Sequence, residues 1–217
     1  MAAIFLSHII DPGSRINQDK EVKMKHMRKT LILSLAFVCV FGAFVFAGYE
    51  YKANKPHIGG DLSPVQAHEM LMNDPQHTFL VDCRTRPEYQ LIGHPEGAYN
   101  VPIRFWSNKV GEKGYLEVDN PNFGKDLLAR FNPETDTLII LCRSGNRSCS
   151  ACNEAIKAGF SEAKVFNLMG GFEGGKMKYK HSAYHGQRTG GSWRNEGLPW
   201  TYSMDKKLMY EPDVKGS

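Results

Sequence analysis

The run at 137–142, TLIILC, most constrains the fold, because it is apolar almost throughout. A strand that is apolar on both faces is typical of the centre of a parallel sheet with helices on both sides. Shorter apolar runs predict further strands at 78–83, 97–102 and 164–168. Between them, helices are predicted at 63–73, from 86, at 123–131 and at 148–158. This alternation indicates a single α/β domain of three layers, with a mostly parallel central sheet and helices on both faces.

Two segments of this domain carry more local signals. Ser63 is predicted to cap the first helix, with Pro64 at its first position and Gln66 completing a capping box. Residues 103–121 are aromatic, charged and contain glycine, and we expect them to form a loop insertion. Together with residues 172–194, this insertion is expected to line the pocket.

The charge of the chain is concentrated at its N-terminus. The formal net charge is +4, and six basic against three acidic residues in 1–47 contribute +3 of it. The folded part is therefore nearly neutral, and its charge does not indicate a nucleic-acid-binding protein.

Residues 31–47 form a run of seventeen residues without a charge, directly after a basic cluster. This order is typical of a secretory signal, and small residues at 45 and 47 would permit cleavage after Ala47. The run also fits an uncleaved anchor, so both interpretations stay open. In either case the domain is expected to be exported, as a periplasmic protein or anchored in the inner membrane on the periplasmic side. The chain thus divides into a basic leader at 1–30, the apolar segment at 31–48, a linker at 49–57, a folded domain at 58–204 and a C-terminal tail at 205–217.

The loop after the central strand contains the candidate nucleophile, Cys142. Ligands of open α/β sheets bind at the carboxyl ends of strands, where this loop lies. Its backbone N–H groups and the following helix N-terminus favour a thiolate, and Arg143 and Arg147 add positive charge. Gly145 permits the tight turn. These features predict a lowered pKa for Cys142 without an adjacent histidine base.

Several motifs in order along the chain resemble the rhodanese domain family. They are VDCR at 81–84, EY at 88–89, GHPEGAYNVP at 93–102, CRSGNRS at 142–148, GF at 159–160, GG at 170–171 and GLPW at 197–200. The resemblance covers about residues 58–201. Their joint occurrence in this order is specific, whereas any one of them alone is not.

The resemblance implies a sulfurtransferase that moves sulfane sulfur from thiosulfate or a persulfide donor to a thiol or cyanide. By this resemblance Cys142 is catalytic and carries the sulfur as a persulfide. Substrate and persulfide would be bound by the rest of the loop: Arg143, Ser144, Gly145, Asn146, Arg147 and Ser148. Arg84 and Glu88 resemble the structural ion pair that the family has near its site.

Loop length argues against the related phosphatases. Their loop resembles C-x5-R, whereas here Arg147 is the fifth residue after Cys142 and Ser148 is the sixth. A phosphatase would also need a general acid for its leaving group, and the sequence identifies none.

The other cysteines of the domain leave alternatives open. Cys149 and Cys152 form a C-x-x-C that could resolve an oxidised Cys142, or simply pack the helix against the sheet. Cys83 is expected in the core beside the strand of Cys142, with disulfide exchange as the minor alternative. Two other functions therefore remain: a sulfur carrier without rapid turnover, or a thiol redox protein with a partner protein.

No nucleotide, metal or organic cofactor motif is found, and none is expected. His181 and His185 have helical spacing but lie in a stretch without helical periodicity, so we do not expect a metal there. Aromatic and basic residues alternate near the C-terminus, but export argues against a nucleic-acid partner. The expected partners are a small sulfur donor and acceptor, and the membrane if 31–47 is uncleaved.

Overall fold

The computed structural model describes residues 23–25, 27, 51–52 and 55–210. The chain divides into two compact units, residues 1–48 and residues 49–217. In the first unit, residues 23–25 and 27 are helical. The predicted signal or anchor at 31–47 lies outside the described residues and stays a prediction. Within the described part of the chain, no helix is both long enough and apolar enough to cross a membrane.

The second unit is built around one parallel sheet of five strands. Their order across the sheet is β1 (Gly60–Leu62), β8 (Val165–Leu168), β7 (Thr137–Leu141), β2 (Thr78–Asp82) and β4 (Tyr99–Asn100). All four of its strand pairs are parallel. The central strand β7 (Thr137–Leu141) is the apolar run from which the fold was predicted. The predicted α/β class with a parallel central sheet is confirmed.

The remaining elements follow along the chain in a simple order. They are β1 (Gly60–Leu62), α1 (Pro64–Asn73), β2 (Thr78–Asp82), α2 (Arg86–Ile92), β3 (His94–Pro95), β4 (Tyr99–Asn100), β5 (Arg104–Gly111), β6 (Gly114–Asp119), α3 (Phe123–Leu128), β7, α4 (Asn146–Lys157), a 3-10 turn (Glu162–Lys164), β8 (Val165–Leu168) and β9 (Trp200–Thr201).

Both faces of β7 are buried, as its composition requires. Leu138 and Ile140 pack into a core that α3 and α4 cover. Ile139 and Leu141 pack into a second core on the other face, under α1 and a segment that contributes the buried Trp193. Successive strand residues point to opposite faces, so a strand between two cores must be apolar at every position.

The capping box predicted for the first helix is confirmed. The backbone N–H of Gln66 donates to Ser63 Oγ, and the Gln66 side chain accepts from the backbone N–H of Ser63. Pro64 occupies the first turn, where no N–H is needed.

The prediction of an irregular loop at 103–121 is wrong. Strands β5 and β6 form an antiparallel hairpin there. All six residues of β6 are exposed, and β5 is only partly buried. Because the hairpin buries little of either face, its strands do not need the alternation by which strands are predicted from sequence.

Three smaller boundaries also differ from the predictions. Helix α4 begins at Asn146 rather than 148, because Gly145, with φ of 100°, takes the N-cap position. Helix α3 ends at Leu128 rather than 131, and the strand predicted at 97–102 is only Tyr99–Asn100. Strands β1, β3 and β9 have two or three residues each, too few for a periodic pattern to predict them.

Part of the predicted tail packs on the domain. The backbone N–H of Asn100 donates to the carbonyl of Leu208 at 2.8 Å. Tyr210 is buried, and its hydroxyl donates to Asp126 at 2.8 Å. Residues 205–210 therefore cover the edge strand β4 and the end of α3.

A fully buried ion pair ends strand β2. Both Arg84 and Asp82 have no exposed side-chain surface, and Arg84 Nη2 lies 2.6 Å from Asp82 Oδ2. The same nitrogen donates to the carbonyl of Gly93 at 2.7 Å, and the guanidinium lies 4.5 Å above the Phe172 ring centre. Although burial opposes its charge, Asp82 raises the pKa of Arg84. The pair thus joins β2, the turn after α2 and the segment after β8.

Replacing Arg84 with methionine is expected to lower the free energy of unfolding by about 3–5 kcal/mol, because the Asp82 carboxylate would stay buried without its partner. The measurement is urea unfolding at pH 7. Lys157→Met is the control, because the pair between Lys157 and Glu154 is exposed, and its loss should cost at most about 1 kcal/mol. If both variants lose the same free energy of unfolding, the stabilising role of the buried Arg84–Asp82 pair is contradicted.

Candidate active site

Cys142 lies at the carboxyl end of the central strand, directly after Leu141. Its carbonyl accepts a hydrogen bond from the backbone N–H of Phe172 at 2.8 Å, and that of Arg143 accepts from Glu173 at 2.9 Å. These bonds hold the loop against the segment after β8. That approach requires glycine at 171, because a Cβ there would lie 2.3 Å from the Cys142 carbonyl oxygen.

The Cys142 sulfur is buried and held by donors from its own loop. The backbone N–H of Gly145 donates to it at 3.1 Å. The Ser148 hydroxyl lies 3.5 Å from it, and also 2.7 Å from Asn167 Oδ1 and 3.0 Å from the Gly145 carbonyl. A hydroxyl has one proton, so Ser148 can donate to one of these three acceptors at a time.

Asn167 and Asp61 extend this network away from the sulfur, and neither was predicted as a site residue. Asn167 Nδ2 donates to Asp61 Oδ1 at 2.7 Å, which leaves Asn167 Oδ1 to accept from Ser148. Asn167 is fully buried. A polar residue inside the apolar strand β8 is the sequence signal that could have identified it, since a buried polar group needs partners.

Cys83 lies beside Cys142, as expected from its strand. Strands β2 and β7 are in register up to Asp82 and Leu141, and the N–H of Cys83 donates to the Leu141 carbonyl at 2.9 Å. The next residues in register are Cys83 and Cys142 themselves. Both belong to the same core, so their side chains share a face.

The surroundings separate the pKa values of these two thiols. Burial alone would raise the pKa of Cys142, but a hydrogen bond from Cys83, the charge of Arg147 and the Ser148 hydroxyl hold it well below its ordinary value. Burial raises the pKa of Cys83 well above its ordinary value, and the hydrogen bond to Cys142 adds to this. The surroundings therefore favour the thiolate form at Cys142 and the thiol form at Cys83.

Arg147 and Glu88 form the ion pair next to the loop. Arg147 Nη2 lies 2.6 Å from Glu88 Oε1, and Nη1 lies 2.8 Å from Oε2. Nη1 also lies 3.2 Å from Glu117 on β6. Burial would raise the pKa of Glu88, but Arg147 and the capping bonds from Thr85 lower it to about 2.

The predicted pair of Arg84 with Glu88 is wrong. Arg84 pairs with Asp82, and Glu88 pairs with Arg147. The four-residue spacing brings side chains together only within a helix. Arg84 precedes α2, whose N-cap is Thr85, so its side chain is not on the helix face that carries Glu88.

A small cavity of about 220 Å³ lies against Cys142. It is lined by loop residues including Cys142, Arg143 and Ser144, and by Arg104 and Glu117 of the β5–β6 hairpin. The hairpin thus forms one wall of the cavity, in the segment expected to line the pocket. A cavity of this size can admit a small anion to the sulfur.

Cys149 and Cys152 lie on α4 as buried thiols. Cys149 Sγ donates to the Gly145 carbonyl at 3.1 Å, and Cys152 packs in the core with Ala151 and Ala155. Burial raises the pKa of both. The structure therefore gives them a packing role, and their redox role stays a prediction.

The described residues contain no group of three or more His, Cys, Asp or Glu side chains that could hold a metal ion. His181 and His185 lie in an irregular, exposed segment, and His185 Nδ1 contacts the carbonyl of Tyr179 at 3.2 Å.

Comparison with known proteins agrees with this fold. The family model of the rhodanese-like domain matches residues 63–178. The crystal structure of Rv0390 from M. tuberculosis superposes with a TM-score of 0.53 at 33% identity, over 67% of this chain and 99% of that one.

Two curated relatives have a similar level of sequence identity to this chain. The uncharacterized protein RP600 of Rickettsia prowazekii is 30% identical over 143 residues, covering 65% of this chain and 97% of its own. Thiosulfate sulfurtransferase 16, chloroplastic, of Arabidopsis thaliana is 32% identical over 120 residues, covering 55% and 89%. The chain belongs to the rhodanese-like domain family, which includes sulfurtransferases.

Replacing Arg147 with methionine is expected to raise the pKa of Cys142 by about 1–3 units, because a nearby positive charge is lost. The unpaired Glu88 carboxylate would act in the same direction. The pKa is measured from thiolate absorbance near 240 nm against pH, as the difference between each protein and the same protein with Cys142→Ser. Lys157→Met, at the other end of α4, removes the same charge and should leave the titration unchanged. If Cys142 of the unaltered protein titrates at or above its ordinary pKa, its assignment as the thiolate is wrong.

Proposed function

We propose that this protein is a sulfurtransferase that carries sulfane sulfur on Cys142 between thiosulfate or a persulfide donor and a thiol or cyanide acceptor. The observation that carries the proposal is the position of Cys142, whose sulfur accepts a hydrogen bond from the backbone N–H of Gly145 and which lines a cavity together with Arg143 and Arg147. A thiolate is the form that attacks sulfur, and the surroundings of Cys142 favour that form without a histidine base.

Sulfur transfer would proceed in two displacements. The Cys142 thiolate attacks the outer sulfur of thiosulfate, the bond between the two sulfurs of thiosulfate breaks, and sulfite leaves with the electron pair. The acceptor then attacks the terminal sulfur of the Cys142 persulfide, and the Cys142 thiolate leaves. No oxidant or reductant is needed, and the loop N–H groups that hold the thiolate can also hold the persulfide anion.

The two arginines of the loop have different proposed roles. Arg147 is paired with Glu88 and Glu117, so it is not available to hold a donor, and its proposed role is to help lower the pKa of Cys142. Arg143 is exposed and has no ion-pair partner among the described residues. We therefore assign to Arg143 the first contact with an anionic donor. The rest of the loop side of the Cys142 cavity is assigned to Ser144, Asn146 and the backbone amides up to Ser148.

Incubation with thiosulfate is expected to add the mass of one sulfur to the protein, and cyanide is expected to remove it as thiocyanate with repeated turnover. Intact-mass measurement and a thiocyanate assay detect the two steps. Cys142→Ser should abolish both, whereas Cys149→Ser, a similar change at a neighbouring buried thiol, should retain both. A stable gain with little thiocyanate would favour the carrier alternative. If neither thiosulfate nor a persulfide donor adds sulfur to the protein, both the sulfurtransferase and the carrier interpretation are contradicted.

A thiol redox protein is the second candidate, and the position of Cys83 favours it. Neighbouring strands lie about 4.8 Å apart, within the roughly 4.4–6.8 Å between Cα atoms that a disulfide spans. A peroxide would oxidise the Cys142 thiolate to a sulfenic acid. Cys83 would then attack that sulfur as its proton passes to the sulfenic oxygen, which leaves as water, and a Cys83–Cys142 disulfide forms.

After limited peroxide treatment, we expect the protein to lose two hydrogens in mass, and peptide mapping to join Cys83 to Cys142. Cys83→Ser should stop the reaction at the sulfenic acid, which a dimedone probe traps, while Cys149→Ser should still form the disulfide. A disulfide from Cys142 to Cys149 or Cys152 would instead support the C-x-x-C as the redox pair.

A further inference from the structure

The positive charges around the site fall into two groups. Three arginines are paired with carboxylates: Arg84, Arg104 and Arg147. Three other cations nearby have no ion-pair partner within the described part of the chain: Arg143, Lys176 and Arg188. Cations that the protein leaves without a carboxylate are available to a ligand.

A second cavity lies next to the one that opens onto Cys142. It measures about 250 Å³, and its lining includes Lys52, Ser144, Lys176 and Arg188, with no acidic residue among the described residues that line it. Ser144 also lines the Cys142 cavity, so the two cavities are neighbours that share this loop residue. The subsite proposed below requires a ligand that extends past Ser144 from the first cavity to the second.

The backbone fixes Arg188 in this cavity. Lys176 and Arg188 face each other across an isolated antiparallel bridge. Arg188 is partly buried, and its Nη1 donates to the carbonyl of Gly174 at 2.5 Å. A guanidinium has five N–H groups, so this bond leaves others for a ligand. Burial and the charge of Arg143 lower the pKa of Arg188, which an incoming anion would offset.

We propose that this second cavity is a subsite for a carboxylate of the thiol or persulfide whose sulfur meets Cys142. The substrate class is then a low-molecular-weight thiol with a carboxylate several bonds from its sulfur. This inference rests on the sulfur transfer proposed above.

Size and chemistry favour this class over thiosulfate. Thiosulfate is compact and fits within the first cavity, so the second would add nothing to its binding. The guanidinium of Arg188 matches a carboxylate in shape, since it can form two parallel hydrogen bonds.

Binding is tested on the full chain by calorimetric titration with S-methylglutathione, which carries two carboxylates and cannot accept sulfur. Arg188→Gln is expected to raise its Kd about tenfold, because one charge-assisted contact is lost. On the unaltered protein, the diethyl ester should bind about tenfold more weakly for the same reason. Arg188→Lys should recover part of the affinity, and Lys178→Met, an exposed neighbour outside the cavity, should change nothing. Equal Kd values for acid and ester, or no measurable binding of the acid, would overturn the subsite.

Turnover distinguishes this inference from the sulfur transfer on which it rests. With glutathione as acceptor, Arg188→Gln should raise KM about tenfold, and with the diethyl ester it should not change KM. The gain of sulfur by Cys142 from thiosulfate is measured separately on the unaltered protein, because this step involves no carboxylate. Failure of Cys142 to gain sulfur would contradict the proposed function, while the titration still decides whether the subsite exists.

Discussion

The bidentate ion pair between Arg147 and Glu88 holds the site together. Arg147 is in the first turn of α4, and Glu88 is in the first turn of α2, where it also caps the helix by accepting from Thr85. One carboxylate thus fixes the start of α2 and the charge beside the Cys142 sulfur. That charge is among the forces that keep Cys142 a thiolate in a buried position, where desolvation alone would favour the thiol.

Beyond this pair, the distribution of charge differs between the inside and the mouth of the site. Inside, Arg84 is paired with Asp82, because an uncompensated buried charge is costly. At the mouth, Arg143 and Arg188 lack such partners among the described residues, and in the proposed reaction they would bind the anionic substrate. The paired charges keep the loop in place, and the unpaired ones can select the ligand.

Sequence patterns predicted best what depends on neighbouring residues. The apolar run before Cys142 predicted the central strand, and Ser63 with Gln66 predicted the start of the first helix, since both signals lie within a few residues. The β5–β6 hairpin was missed because its largely exposed strands lack an alternating pattern. The pairing of Arg84 with Glu88, which the family resemblance implied, was wrong because Arg84 precedes the N-cap of α2 and pairs with Asp82 at the end of β2.

The sequence by itself determined the fold class and the position of Cys142 at the end of the central strand, because burial of apolar residues has a period that can be read along the chain. Only the tertiary structure decided which groups surround that cysteine. Glu88 and Arg147 are 59 residues apart, and Cys83 meets Cys142 through the register of two strands. Arg188 reaches the cavity beside Ser144 from a segment after the last strand of the central sheet. These contacts depend on how distant segments pack, and no local pattern specifies them.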